Sequence, residues 1–456
     1  MLAAGVDCST QSTKVLLCDA ADGTVVGRGS APHPGGTECD PAAWWAALQQ
    51  AGDGLLDRAA AIGVAGQQHG MIVLDDAGQV IRPALLWNDL RSAAAAAELI
   101  GELGGRSWWA QTTGSVPTAS FTVTKLRWLA EHEPASARRA AGVLLPHDWL
   151  TWRLSGAEPM TDRGDASGTG YFSPATGEWL PQIAEAALGH PVRLPRIASP
   201  GEGVGAVGTV VSAGTGDNMG AALGLGLEPG DVVISIGTSG TAFAVSEVPA
   251  ADPSGAVAGF ADATGRFLPL VCTVNAALVL SATAAMLGTD SDGLSGLALA
   301  AEPGAGGLTL LPYLDGERTP DRPGATGVLR GLTTRNATSQ NMARAAVEAV
   351  LASLADAAGL LAAGGIDQRR VLLIGGGARS GAVRRLAPGI FGAPVLVPEP
   401  EEYVALGAAR QAAWALAGGA EPPGWPRRPA AEYSGPAQPE VRERHAALRD
   451  ATAGWP

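Results

Sequence analysis

Asp217 and Asn218 stand in the stretch TGDNMGAALG, where no other charge occurs between Glu202 and Glu228. A carboxylate so isolated either starts a helix or is held out to accept a proton. A second acid, Asp7, ends the apolar run AAGVD and is followed by the hydroxyl-dense turn CSTQS and by Lys14. The hydroxyls and backbone N–H groups of Ser12 and Thr13 suit phosphate oxygens, and Lys14 adds positive charge. Asp7 suits hydrated Mg²⁺, which keeps most of its waters and needs few carboxylates. Taken alone, the same stretch also reads as an ordinary polar hairpin turn.

Two glycine clusters lie further along. In ISIGTSGTAF, Gly237 allows close backbone approach, and Thr238 and Ser239 supply donors. In LLIGGGARSG, Gly376, Gly377 and Arg379 follow a predicted strand and open a predicted helix, whose N-terminal amides suit an anion. No GKS or GKT follows, so this is not a Walker A sequence. The pattern GVGAVG at residues 203–208 is read as a chance match to a dinucleotide fingerprint, because the β-branched TVVSAG after it does not form a helix.

Groups suited to a polyol occur in GQQHG and LLWNDLRS. Gln68 and His69 lie between two predicted strands and offer donors and acceptors together. Trp87 suits the apolar face of a sugar. Asn88 and Asp89 read equally as polar contacts and as a cap for the helix SAAAAAEL. Asp165, in TDRGDASGTG, reads as an Asx-type turn, and His147-Asp148 as a buried polar pair.

Short strands alternating with alanine-rich helices must position these groups. The pattern predicts strands at AAGVD, TKVLLCD, GTVVGRG, AIGVAG and MIVLD, and a helix capped by Asp40 with Pro41 in its first turn. From DVVISIG the plan repeats, with the strand pair around TSG, a long helix from about Ser339, the strands VLLIG and APVLVP, and the helix YVALGAARQAAWALA. A chain of 456 residues with 46% hydrophobic residues suits two cores, and two α/β halves suggest a cleft for small ligands. Expected boundaries are 1–210, 211–417 and a Pro-rich tail at 418–456 that wraps the surface or is partly mobile. A net charge of −13 argues against nucleic acid and anionic membranes as partners. No apolar run reads as long enough to cross a bilayer. Four cysteines without a CxxC pair suggest reduced thiols, and the N-terminus lacks a signal peptide's basic start, so a cytoplasmic location is expected.

Together these pieces resemble the FGGY carbohydrate kinases and, within them, the xylulokinase group. Both family signatures are legible, SFTVTKLRWLAEH at residues 120–132, with Lys125 and Trp128 in place, and GVLRGLTTRNATSQNMARAAVE at residues 327–348. Around them stand the opening phosphate turn, GTGDN, GTSG, GGGARS and ALGAA, so the resemblance runs from Gly5 to about Ala417. GQQHG with LLWNDLRS selects the xylulokinase group, since a glycerol kinase would carry an Arg-Glu pair in place of Gln68-His69. Two departures stand out. Many xylulokinases have methionine where Gln68 stands, and GAVRRLAPGIFGAPV replaces a frequent tryptophan-glutamine pair after GGGARS, which puts the adenine contacts in doubt.

The resemblance implies an α/β fold of two actin-like ATPase (ribonuclease H-like) domains flanking a central cleft. It implies ATP as co-substrate, Mg²⁺ near Asp7, and a small-molecule sugar as acceptor, with a homodimer left open. Asp217 would be the catalytic base toward the C5 hydroxyl of D-xylulose, and Gln68, His69, Trp87 and Asn218 would hold the sugar. Kinases for ribulose, fuculose, gluconate or glycerol share the plan and remain alternatives, as does a non-enzymatic actin-like ATPase scaffold.

Overall fold

A computed structural model describes residues 1–206 and 208–455. They form two compact units. The first comprises Met1–Leu227, Ser246–Pro269 and Glu401–Arg427, and the second Glu228–Val245, Leu270–Pro400 and Arg428–Pro456. Compactness therefore groups the chain otherwise than a cut at residue 210 would. The segment bearing Asp217 belongs with the first unit, because its strand Thr215–Gly216 pairs with Ala61–Gly66.

In the first unit the strands are β1 (Leu2–Cys8), β2 (Ser12–Asp19), β3 (Val25–Pro32), β4 (Ala61–Gly66), β5 (Gly203–Ala206), β6 (Thr209–Ser212) and β7 (Thr215–Gly216). Their order is β5-β6-β4-β1-β2-β3, with β7 also on β4. β1 pairs antiparallel with β2 and parallel with β4. Residues 203–208 thus belong to a hairpin, apart from Val207, which lies outside the described residues, and the mismatch to a dinucleotide fingerprint follows from that geometry.

Alternation along β1 separates two faces. Ala4, Val6 and Cys8 enter a core with Val15 and Leu17, covered by Trp44 and Leu48 of helix Pro41–Ala51 and by Trp149 and Leu150 of helix Pro146–Ser155. Asp40 caps the first of these helices, accepting the Ala42 N–H at 2.9 Å. Ala3, Gly5 and Asp7 take the other face, under helix Tyr403–Ala417. The approach there is unusually close. A Cβ at Gly5 would lie 1.8 Å from the Ala405 carbonyl oxygen, and a Cβ at Gly407 would lie 1.8 Å from that of Gly220. The second contact clamps helix Asp217–Leu225 across the Tyr403–Ala417 helix.

The second unit repeats the hairpin-plus-parallel-strand plan. Its strands are β8 (Asp231–Ile236), β9 (Gly240–Ala244), β10 (Phe267–Thr273), β11 (Arg370–Ile374), β12 (Val395–Pro398) and β13 (Ala430–Tyr433), in the order β10-β9-β8-β11-β12-β13. β8 is antiparallel to β9 and parallel to β11, as β1 is to β2 and β4. At the strand starts Arg370 makes a two-point contact with Asp231, at 2.6 and 2.7 Å. The α/β class and the repeated actin-like plan therefore agree with the expectation.

One expectation needs correction. Helix Ser339–Ala363, with 25 residues, is long and apolar enough to cross a bilayer, although no such run was expected. Most of it is buried inside the unit, where alanine and leucine pack on several sides, as in a core helix. The tail is folded for the most part. Ala430–Tyr433 extends the sheet beside β12, and Pro439–Ala451 forms a helix whose Val441 and Leu448 are buried.

The close crossing predicts that Gly407→Ala destabilises the protein, by about 1–3 kcal/mol from overpacking. Intrinsic propensity alone would favour alanine in that helix by about 1 kcal/mol. Denaturant unfolding distinguishes the two, and a stabilised variant would disprove the close contact.

Candidate active site

The packing that sets the fold of the first unit also gathers its acids. Asp7 shares the Gly5 face of β1, and its register partner on β2 is Lys14. The Lys14 Nζ lies 3.9 Å from Asp7 Oδ2 and 2.6 Å from Glu402 Oε2. Glu402 immediately precedes the Tyr403–Ala417 helix, and Asp217 is the first residue of the helix clamped across it. Asp7 is buried. Desolvation pushes its carboxyl up to about 7, with Lys14 opposing and Asp217 and Glu402 adding to the rise. Its Oδ1 is buried without a hydrogen-bond partner, an acceptor suited to a cation's water shell.

Asp217 does not cap a helix that starts at Asn218. It is itself the first helical residue, after Gly216. Its Oδ1 accepts the Asn218 N–H at 2.7 Å and the Asn218 Nδ2–H at 2.9 Å. Asn218 Nδ2 also donates to Gln68 Oε1 at 3.1 Å, so Asp217, Asn218 and Gln68 form one chain of contacts. Burial pushes Asp217 up to about 6, while the Asn218 bonds pull the other way. The group is therefore a better proton acceptor than an ordinary aspartate near pH 4 would be.

His69 follows in the left-handed backbone region, with φ of 68°. Its Nδ1 is 2.6 Å from the Gly168 carbonyl oxygen, so Nδ1 carries the proton and donates. The ring packs near Phe121, 4.7 Å between centroids, and Phe260, 5.7 Å. A Cβ on Gly168 would come within 2.8 Å of the same nitrogen, which explains glycine there. Gln68 Nε2 is buried without a partner. Trp87 is partly exposed and donates from Nε1 to Thr10 Oγ1 at 2.9 Å, and Thr10 Oγ1 contacts Gln67 Oε1 at 3.4 Å. The segment bearing Trp87 is thereby fastened to the CSTQS turn.

Other residues fall differently. Thr13 is fully buried, its hydroxyl 2.7 Å from His33 Nε2, whereas Ser12 begins β2 at the turn, its carbonyl accepting from Ser9. Asp89 caps no helix. Its Oδ1 takes the Arg91 N–H at 3.0 Å and Nε–H at 2.8 Å, and Ser92 precedes the helix instead. The Asx-type cap in TDRGDAS belongs to Asp162, which accepts from Gly164 and Asp165, while Asp165 pairs with His147 at 2.6 Å. Lys125 is buried and donates to the carbonyls of Ala119 and Ser120, which brace the turn before Phe121. Burial lowers its ammonium to about 7. Glu402 was not foreseen. It meets Lys14 from 388 residues away, and no local pattern announces that contact.

Within the second unit, Gly237, Thr238 and Ser239 form the turn between β8 and β9, closed by Gly237 N–H to Ser239 O at 3.0 Å. Gly376, Gly377 and Arg379 lie in a short 3₁₀ turn after β11, and Ser380 caps the helix Gly381–Phe391 that follows. Gly375, at φ of 87°, brings that turn against the end of β8, where a Cβ would sit 2.7 Å from the Ile236 oxygen. The two glycine turns are thus neighbours, 139 residues apart at Gly237 and Gly376.

Comparison with known proteins places the chain in a family. The family model for the FGGY family of carbohydrate kinases, N-terminal domain, matches residues 2–228, and that for the C-terminal domain matches residues 232–416. Xylulose kinase from Streptomyces coelicolor is 50% identical over 436 residues, covering 91% of this chain and 88% of the relative. Xylulose kinase from Streptomyces rubiginosus is 49% identical over 440 residues, with the same coverage of 91% and 88%. The crystal structure of xylulose kinase from Bifidobacterium adolescentis superposes with a TM-score of 0.92 at 45% identity, over 98% of this chain and 99% of that one. A catalytically inert scaffold does not fit these relationships, and the chain belongs to the FGGY family of carbohydrate kinases.

Proposed function

We propose that the protein transfers the γ-phosphoryl group of ATP to the C5 hydroxyl of D-xylulose, yielding D-xylulose 5-phosphate and ADP. The observation that carries this reading is the Gln68–Asn218–Asp217 chain, which ties a sugar-side amide to an acid with a raised affinity for protons. Asp217 accepts the hydroxyl proton as the oxygen attacks phosphorus. In a loose transition state the proton leaves late, so positioning contributes most of the rate. Asn218 orients a neighbouring sugar hydroxyl. Gln68 Nε2, a buried donor lacking an acceptor, matches another. His69 and Trp87 supply a polar contact and an apolar face.

In the first unit, Lys14 with the turn at Ser12 and Thr13 offsets phosphate charge, and Asp7 with its unpartnered Oδ1 would hold hydrated Mg²⁺. When bound, Mg²⁺ would neutralise charge on the phosphates. In the second unit, the turns with Gly237, Thr238 and Ser239 and with Gly376, Gly377 and Arg379 present backbone N–H groups suited to the nucleotide. None of the four cysteines is in a disulfide, which supports a reducing, cytoplasmic location.

An ADP-release assay across ketoses and polyols tests the substrate. D-xylulose should give the highest kcat/KM, and a clear preference for ribulose, fuculose, gluconate or glycerol would transfer the reading to that sugar. His69→Ala should raise the sugar KM and leave the ATP KM nearly unchanged; a rise confined to ATP would remove His69 from the sugar.

Asp217→Asn should lower kcat by about 10²–10⁴-fold while sugar binding, read calorimetrically, persists. In the native enzyme kcat/KM should fall as the pH drops through the range set by Asp217 near 6 and Asp7 near 7, because both act ionised. The sign for stability is opposite. Asp217 binds its proton more tightly folded than unfolded, so its contribution is complete below its ordinary value of 3.8 and lost as pH rises through about 6. Asp217→Asn should therefore raise Tm at pH 8 and confer little gain at pH 4. An equal change at both pH values would contradict the buried-base assignment.

A further inference from the structure

His147 and its neighbours have no part in the chemistry described above, yet they pack against the first-unit segments that carry Gln68 and Asp217. His147 is completely buried as the second residue of helix Pro146–Ser155. Its Nδ1 is 2.6 Å from Asp165 Oδ2, and its Nε2 is 3.3 Å from Asp148 Oδ1. A neutral imidazole has one donor and one acceptor, so it would set a lone pair against one of these carboxylates. The Nε2–Asp148 contact is at ion-pair distance without hydrogen-bond geometry, and against two ionised carboxylates the doubly protonated ring is the form that suits both. No Lys or Arg side chain among the described residues forms an ion pair with Asp148, Asp162 or Asp165, which leaves His147 as their countercharge.

Four paths lead from this cluster to the site. The ring packs against Gly214, where a Cβ would come within 2.4 Å of Cδ2 and φ is 77°, three residues before Asp217. Its own Cβ lies against Gly66, the last residue of β4 and two before Gln68, where an added Cβ would sit 3.0 Å away. Asp162 accepts the Thr215 hydroxyl at 2.9 Å, fixing β7 just ahead of Asp217. Asp165 belongs to the turn whose Gly168 carbonyl receives the His69 Nδ1–H.

We propose that His147 is held as an imidazolium between Asp148 and Asp165 and acts as a positioning residue, setting the geometry of Asp217, Gln68 and His69 together. Burial works against its charge, but Asp148 and then Asp165 and Asp162 overcome that and push its pKa up to about 9. The same burial pushes Asp165 up to about 7 and Asp148 up to about 6. Tyr171 also lies within reach of both acids and stays neutral, its pKa raised by burial. The folded pKa of His147 exceeds the unfolded value of 6.5, so its contribution to stability is complete below 6.5 and lost as pH rises through about 9.

The charge state is tested on the native protein by selective ¹⁵N-histidine NMR, independently of the sugar assignment on which the positioning role rests. The signal of a buried imidazole doubly protonated at pH 7.5, titrating near 9, is expected. A neutral ring at pH 7.5, or a stoichiometric divalent metal retained after dialysis against chelator, would overturn the imidazolium. His147→Gln then tests positioning. With the fold intact by circular dichroism, the sugar KM should rise and kcat fall, each by about tenfold, with the ATP KM changed less than twofold. His147→Lys, which restores a buried cation, should recover most of the sugar KM. Native sugar kinetics in His147→Gln, or equal loss toward both substrates without recovery in His147→Lys, would refute the positioning role. Should His147→Gln fail to fold, Asp148→Asn carries the same kinetic test.

Discussion

The contact on which the first unit depends is the approach of helix Tyr403–Ala417 to the backbone of β1 and of helix Asp217–Leu225. Glycine at positions 5 and 407 removes the side chains that would hold these backbones apart. Close packing of this kind turns small volume changes into strain, because a well-packed interior has little free space. It also sets the chemistry. Asp7 shares the face of β1 on which the helix lies, Glu402 immediately precedes that helix, and Asp217 begins the helix clamped across it.

That gathering places several carboxylates where water is scarce, and their proton affinities rise in consequence. Asp217 and Asp7 both bind protons more tightly than free aspartate. For a base that must take a proton from an alcohol the shift is useful, since its affinity moves toward working pH while the ionised form persists. It carries a stability cost, as an ionised buried acid favours the unfolded chain. Lys14 and the Asn218 amide oppose the shift without removing it. Beneath them, the three acids around His147 face the same physics and meet it with a single shared cation.

Much of this arrangement is legible in local sequence. Helix Tyr403–Ala417 matches its predicted span residue for residue, and Asp40-Pro41 starts its helix as the cap and first-turn proline require. Gln68 and His69 in GQQHG, and Asp217 with Asn218 in TGDNMG, stand out as short polar groups between glycines, and the structure links Gln68, Asn218 and Asp217 directly. Asp89 stays open between cap and polar contact, and Asp165 reads as an Asx turn, because an Asx turn, a helix cap and a side-chain ion pair share one residue type. Which of these forms depends on where Arg91 and His147 come to lie. In the sequence the tail stays open between wrapping the surface and partial mobility because proline dominates its start, and strand pairing beside β12 gives its backbone groups partners.

Composition, periodicity and turn chemistry by themselves determined the α/β class and the repeat of the strand–turn–strand plan, and they singled out the candidate residues for phosphate and sugar. These are short-range properties, written within a turn or a strand. The tertiary structure alone decided that Asp217 belongs with the first unit, that Glu402 meets Lys14 across 388 residues, and that His147 lies beneath both Gly66 and Gly214. Such contacts join segments far apart in the chain, and the proton affinities follow from the burial those contacts create. No spacing along the sequence encodes them, because desolvation and through-space charge depend on distance in the fold.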